Sequence, residues 1–447
     1  MLSVSQSLAA ILARPVGEVD RARAALHLLD WVGCAVGGAV EPGTAEPRAL
    51  AVLEGAGPCR VIGGVRAGPQ AAALANGPAG ATLEMDDVDR RGLLHPGPVV
   101  LPAALATAEA AGVDDGRAFL DAIVRGYEAM VRVGRAAGPG HYRQFHPTGT
   151  CGPFGAAAAA GSLLGLSEAA TAWALGNAGQ QAAGLWQVRH EPVFTKGLHN
   201  GRAAANGLAA AFLARDGYAG PLQHFEGPQG FFAGLCPDGD PQAVAADPEA
   251  PWALHEVSFK PYAACRHAHA AIDAVLELRA QAGGRALADL AIESYADALA
   301  FCDRANPTTT GEAKFSLQHA AAVAWTHGDA DLARFTPDAI ADPVHAALRA
   351  QVRVAEAPDI TARYPARFGA RATARLADGT QLTAEATDAL GDPERPVSAA
   401  GLEAKARALM AWGGLAPAAA DRLVHAALNV QTSGVAALSA ALPGTDR

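Results

Sequence analysis

Four stretches of this chain bunch side chains that could move a proton or grip an anion. Glu84-Met85-Asp86-Asp87 leads into His95-Pro96-Gly97, and His146 opens a Pro-Thr-Gly-Thr-Cys-Gly run that ends at Gly152. Lys196 and His199 stand three residues apart, and Lys260-Pro261-Tyr262 precedes Cys265-Arg266-His267-Ala268-His269. Half of the 447 residues are hydrophobic and only 18% are charged, so such bunches stand out. Inside a compact protein they are costly unless they line a cavity. The pattern predicts one acid–base site assembled from distant segments.

Each bunch suggests a task. Glu84, Asp86 and Asp87 fall at an expected helix C-terminus, where acids oppose the helix dipole and need another reason to be there. The functional reading has Asp87 orienting His95; the plain alternative is an ion-paired connector using Arg90 and Arg91. His95 and His146 each stand just ahead of an expected helix. The Gly/Thr entry after His146, including Thr150, offers N–H groups and hydroxyls suited to a substrate carboxylate. Lys196 at a helix start is electrostatically misplaced, which points to an anionic partner or to chemistry. On this reading His146 or His269 is the base and His95 the opposing acid, while Lys196 and Arg266 hold carboxylates. Glu84, Asp86 and His199 complete the binding set. A closed zinc site lacks its second Cys pair, and a catalytic zinc on His95, His146 and His269 is a weaker alternative.

Other chemistries find no support. No Gly-x-Gly-x-x-Gly follows a strand, no phosphate-binding Gly-Lys-Ser/Thr loop occurs, and no Gly-x-Ser-x-Gly elbow is in context. What remains is abstraction of a proton α to a carboxylate, followed by loss of hydroxide or reprotonation. The net charge of −10 argues against nucleic acid and against a basic membrane-binding face, but leaves a small anionic substrate open. Six scattered cysteines fit a reducing cytoplasm. The N-terminal segment reads as an amphipathic helix, and no apolar run reaches the roughly 20 residues needed to span a bilayer. A soluble, cytoplasmic protein is expected.

The elements that must position these residues are mostly helices. Helical periodicity covers 21–36, 98–111, 116–136, 153–166, 167–178 and 198–215, with 70–83 broken at Gly77-Pro78. The 153–166 stretch has no polar face and should be central. Alternation suggests strands at 253–259 and 287–295, and two alternating runs around Asp378-Gly379 predict a hairpin over 371–385. Helices are also expected at 265–280, 315–326, 343–351, 402–410 and 418–428. The expected fold is mainly α with an α+β lid. A helical domain is built from 1–259 and 393–447, and the smaller domain is inserted over 260–392.

In order and spacing these segments resemble the MmgE/PrpD family, which includes 2-methylcitrate dehydratases, cis-aconitate decarboxylases and iminodisuccinate epimerases. The resemblance rests on Asp30-Trp31-Val32-Gly33-Cys34-Ala35-Val36-Gly37-Gly38, the acidic segment with His95-Pro96-Gly97, His146, and Thr195-Lys196-Gly197-Leu198-His199. It extends to Lys260-Pro261-Tyr262 with Cys265, Arg266 and His269, and to Lys314-Phe315-Ser316-Leu317. It implies a homodimer, cofactor-free chemistry, and site positions at His95, His146, Lys196 and His269. Two positions depart from the family pattern: Ala81 stands where a histidine commonly introduces the acidic motif, and His319 where several relatives carry a site tyrosine. The resulting expectation is a dehydratase of a small di- or tricarboxylate. Epimerisation of an amino- or imino-dicarboxylate and decarboxylation of a cis-aconitate-like acid are the alternatives. A catalytically inactive binding protein of the same fold is the non-enzyme reading.

Overall fold

The computed structural model describes residues 2–191 and 193–445. The protein is mainly α-helical with one small sheet and divides into two compact units. One unit runs to Val257 and resumes at Ser398; the other is Ser258–Val397. The breaks thus lie at 257/258 and 397/398, against the expected 259/260 and 392/393.

The helical unit is built around the Pro147–Leu163 helix, whose residues are nearly all buried. It packs on Gly97–Ala111, Gly116–Ala136, Glu168–Gly179 and Thr195–Arg215. An all-apolar helix of Ala and Gly can be covered on every side because its neighbours approach closely. The helix begins at Pro147, six residues ahead of the expected start, so the Gly/Thr run is its first turn and not a loop. Proline is well tolerated there because the first-turn N–H groups have no partner within the helix.

A second difference has the same origin. Pro69–Ala81 continues through Gly77-Pro78 where a break was expected. A Cβ on Gly77 would sit 2.5 Å from the Gly201 Cα, and one on Gly201 would sit 2.2 Å from the Leu74 carbonyl oxygen. The Gly-Pro pair therefore marks a backbone-to-backbone crossing with the Thr195–Arg215 helix. That crossing sets the start of the Lys196-bearing helix against the end of the one that leads into the acidic segment. The expected strand at 253–259 is instead a 3-10 turn, Ala253–Glu256.

The second unit carries a four-stranded sheet in the order β2-β1-β3-β4: β1 (Leu287–Ser294), β2 (Val352–Glu356), β3 (Ala370–Leu376) and β4 (Gln381–Ala386). β3 and β4 form the expected antiparallel hairpin, with Gly379 at φ +86° in its turn. β2, which the sequence pattern did not reveal, pairs parallel with β1. Helices His269–Ala282 and Leu317–His327 pack against each other. The chain then returns to the helical unit with Ala399–Trp412 and Pro417–Leu428.

Candidate functional site

Within the helical unit the acidic segment leaves the Pro69–Ala81 helix and turns sharply. Glu84 adopts φ +56°, a left-handed conformation that non-glycine residues rarely take. Its carboxylate is ion-paired with Lys196, in the first turn of the Thr195–Arg215 helix. The pair answers the electrostatic oddity of a lysine at a helix N-terminus.

The two aspartates have distinct tasks, which differ from the expected ones. The carboxylate beside His95 is that of Asp86, with Oδ2 3.1 Å from Nδ1. Asp87 meets the same nitrogen only with its backbone oxygen, at 2.9 Å. The Asp87 side chain points into the core, where it accepts from Tyr127 (2.6 Å), from the Gly97 N–H (2.8 Å) and from His27 Nδ1 (2.7 Å). Asp87 thus anchors the His-Pro-Gly turn from beneath, and Asp86 orients the imidazole. With Nδ1 donating to two oxygens, Nε2 is the end of His95 that can exchange a proton with a ligand. The His95 backbone N–H donates to Thr148 Oγ1 at 3.0 Å, joining this turn to the Pro147–Leu163 helix.

His146 is the N-cap residue of that helix. Its ring lies 6.4 Å from that of His95, edge to face, and 4.6 Å from Trp186. Nδ1 is 3.2 Å from His199 Nδ1, while Nε2 is buried with no hydrogen-bond partner. An unpartnered buried nitrogen is costly, and a ligand atom is the usual way to satisfy it. Burial, and then the Lys196, His199 and His95 charges, push the His146 pKa well below that of an ordinary histidine, so the ring is neutral at pH 7. Burial and then Lys196 also push His199 down.

Four more of the expected site residues are bonded as follows. Thr150 turns its hydroxyl to His141 Nε2 at 2.7 Å, the other nitrogen of which meets the Leu235 carbonyl, so it braces the helix start and does not face a ligand. The other three lie in the second unit. His269 places Nε2 on the Ala264 carbonyl at 3.0 Å and Nδ1 3.2 Å from Arg266, which leaves no nitrogen for a base. The Arg266 guanidinium is ion-paired with buried Asp392 of its own unit, while its Nε and Nη2 are buried without a hydrogen-bond partner. His319 is held between the Arg334 carbonyl (2.8 Å) and Arg349 (3.1 Å), and burial pushes its pKa down to about 4. It reads as a neutral core histidine.

Sequence reasoning passed over His27, Tyr127, His141 and Trp186. His27 and Tyr127 lie on apolar faces of long helices, where the periodicity reads them as core; their only signal is a polar group at a core position. Among the described residues, no group of three or more His, Cys, Asp or Glu is placed to hold a metal ion. No helix there is long and apolar enough to cross a membrane.

Residues 10–244 match the MmgE/PrpD N-terminal domain and residues 262–430 the MmgE/PrpD C-terminal domain. Over 274 residues the chain is 35% identical to the cis-aconitate decarboxylase-like protein oryM of Aspergillus oryzae, covering 58% of this chain and 57% of that protein. It is 32% identical over 276 residues to cis-aconitate decarboxylase of Aspergillus terreus, covering 58% and 55%. With cis-aconitate decarboxylase of Homo sapiens the identity is 28% over 364 residues, covering 78% and 75%. The matched stretch spans little more than half the length of the fungal relatives.

Proposed function

The chain belongs to the MmgE/PrpD family, and from that premise we propose that it is a lyase that decarboxylates a small cis-aconitate-like acid. The observation that carries the reading is the facing pair His95 and His146. Their rings stand 6.4 Å apart, with a buried, unpartnered Nε2 on His146 and the Lys196–Glu84 pair beside it. The names of the relatives put decarboxylation ahead of the dehydration that the family resemblance ranked first.

The chemistry follows from the groups present. Lys196 exchanges part of its bond to Glu84 for a substrate carboxylate. A carboxylate that lies β,γ to a carbon–carbon double bond leaves as CO2 when its C–C bond breaks and the electron pair shifts along the allylic system. The far alkene carbon then takes a proton from His95 or His146, and solvent returns that proton to the ring. His146 rests neutral at pH 7; having taken a proton from solvent, a ring with so low a pKa gives it up readily to carbon. Dehydration and epimerisation draw on the same groups with a different leaving atom.

Purified protein is to be given cis-aconitate, citrate and 2-methylcitrate in parallel. CO2 release from cis-aconitate is expected, with a loss of about 100-fold or more in His95→Gln and His146→Gln. Water loss from a hydroxy-acid without CO2 would restore the dehydratase reading. Binding of all three acids without turnover would mark a non-catalytic member of the fold.

We also propose a homodimer in a reducing cytoplasm. Leu185, Val193, Phe194 and Leu198, near Lys196 in sequence, are exposed apolar side chains of the kind that association would cover, and all six thiols are free and buried. Light scattering at micromolar concentration tests the dimer.

A further inference from the structure

We infer that Lys405, far along the chain in the Ala399–Trp412 helix, is a positioning residue for the site. The inference rests on the reading of Glu84 and Asp86 as site residues. The Lys405 ammonium donates to the Met85 carbonyl at 2.6 Å and to Asp30 Oδ1 at 2.6 Å. Met85 is the residue between Glu84, which pairs with Lys196, and Asp86, which holds His95. One cation therefore fixes the peptide on which both carboxylates hang.

The local backbone explains why a fixing group is needed. The chain leaves the Pro69–Ala81 helix through the left-handed Glu84, a conformation that persists only where the surroundings over-determine it. The Glu84 N–H bonds back to the Ala81 carbonyl, and the Met85 side of the turn is held by Lys405. Asp30 pairs with the same ammonium: its carboxylate is 2% exposed and the lysine side chain 8%. The two parent helices touch closely, since a Cβ on Gly33 would lie 2.9 Å from the Ala406 Cα. Lys405 falls in the residues that match the C-terminal family domain, yet it works in the unit that carries the candidate site.

The alternative is a buried ion pair that serves stability alone, and variants separate the two. Lys405→Met strands the Asp30 carboxylate and is expected to lower stability under either account. The double variant Asp30→Asn/Lys405→Met removes the stranded charge but still lacks the donor to Met85. Asp30→Asn alone keeps that donor. Hydrogen exchange read by mass spectrometry over residues 82–90 is the primary measurement. It is accompanied by kcat and KM on cis-aconitate and by urea midpoints.

In the double variant, exchange over 82–90 is expected to be about tenfold faster, while exchange in the Glu18–Gly38 helix stays as in wild type. Its kcat is expected to fall about tenfold or more, with KM within about threefold. Asp30→Asn alone should keep both segment exchange and kcat within about threefold of wild type. Wild-type exchange over 82–90 in the double variant overturns the proposal, as does an equal loss in Asp30→Asn alone. If the wild-type protein does not turn over cis-aconitate, the decarboxylase reading fails, and the exchange comparison still decides the role of Lys405.

Discussion

Asp86 and Asp87 are neighbours with opposite duties, and their variants should separate them. Asp87→Ala leaves Tyr127, the Gly97 N–H and His27 without an acceptor in the core and should cost about 3 kcal/mol in urea unfolding. Asp86→Asn should cost under about 1 kcal/mol but lower kcat at least tenfold, on the order of a lost orienting contact. Equal stability losses in the two would contradict the assignment. The neutrality of His146 makes a second test. Lys196 is one of the groups that hold its pKa down, so Lys196→Gln should move its titration toward higher pH, seen by histidine NMR with His146→Gln for assignment. An unchanged or lower midpoint would remove Lys196 from the electrostatics of the site. The grouping of His95, His146 and Lys196 was legible because each precedes a helix beside Gly or Pro in a sequence poor in charge. The division of labour between the aspartates was not, since adjacent residues in a turn can face opposite ways and no periodicity records which.

At the scale of elements, the site depends on helices that cross with almost nothing between them. Gly201→Ala would gain helix propensity of about 1 kcal/mol, but its Cβ would stand 2.2 Å from the Leu74 oxygen and must push two backbones apart. A net loss of about 1–3 kcal/mol is expected, together with lower activity, because Lys196 and His199 ride on the displaced helix. Stabilisation on thermal unfolding would show that the crossing tolerates a methyl. The same crossing explains what the sequence pattern misread. Gly77-Pro78 is a breaker by local propensity, and here it is the contact that lets Pro69–Ala81 and Thr195–Arg215 approach. Gly116–Ala136 was legible to the residue because its polar and apolar faces differ sharply. The hairpin over β3 and β4 was legible because Asp-Gly separates two alternating runs. The 253–259 segment alternates yet folds mostly as a 3-10 turn, and β2 is a five-residue edge strand with only one buried side chain at its start. Neither shows its state without its neighbours.

At the scale of the molecule, buried histidines set the response to acid. Burial lowers the pKa of His27, His141, His146, His199, His224 and His319, the last two to about 4. Unfolding frees these rings to bind protons near pH 6.5, so the unfolded state gains protons and stability falls as pH drops from 6.5 toward 4. For His224 and His319 the loss approaches about 3 kcal/mol each at the low end. Asp30, which burial raises to about 6 against the pull of Lys405, works the other way between its ordinary value and pH 6. One carboxyl against six imidazoles leaves the sum destabilising, so calorimetric Tm should fall over this window; a flat or rising Tm would contradict the burial pattern. The central claim is that His95 and His146 exchange a proton with carbon while a small polycarboxylate loses CO2. Proton and carbon NMR of the wild-type protein with cis-aconitate in D2O tests it most directly. The expected product is a decarboxylated alkene with a single deuterium on the carbon that was the far end of the double bond. Unchanged cis-aconitate, or a product that carries no deuterium on carbon, would contradict it.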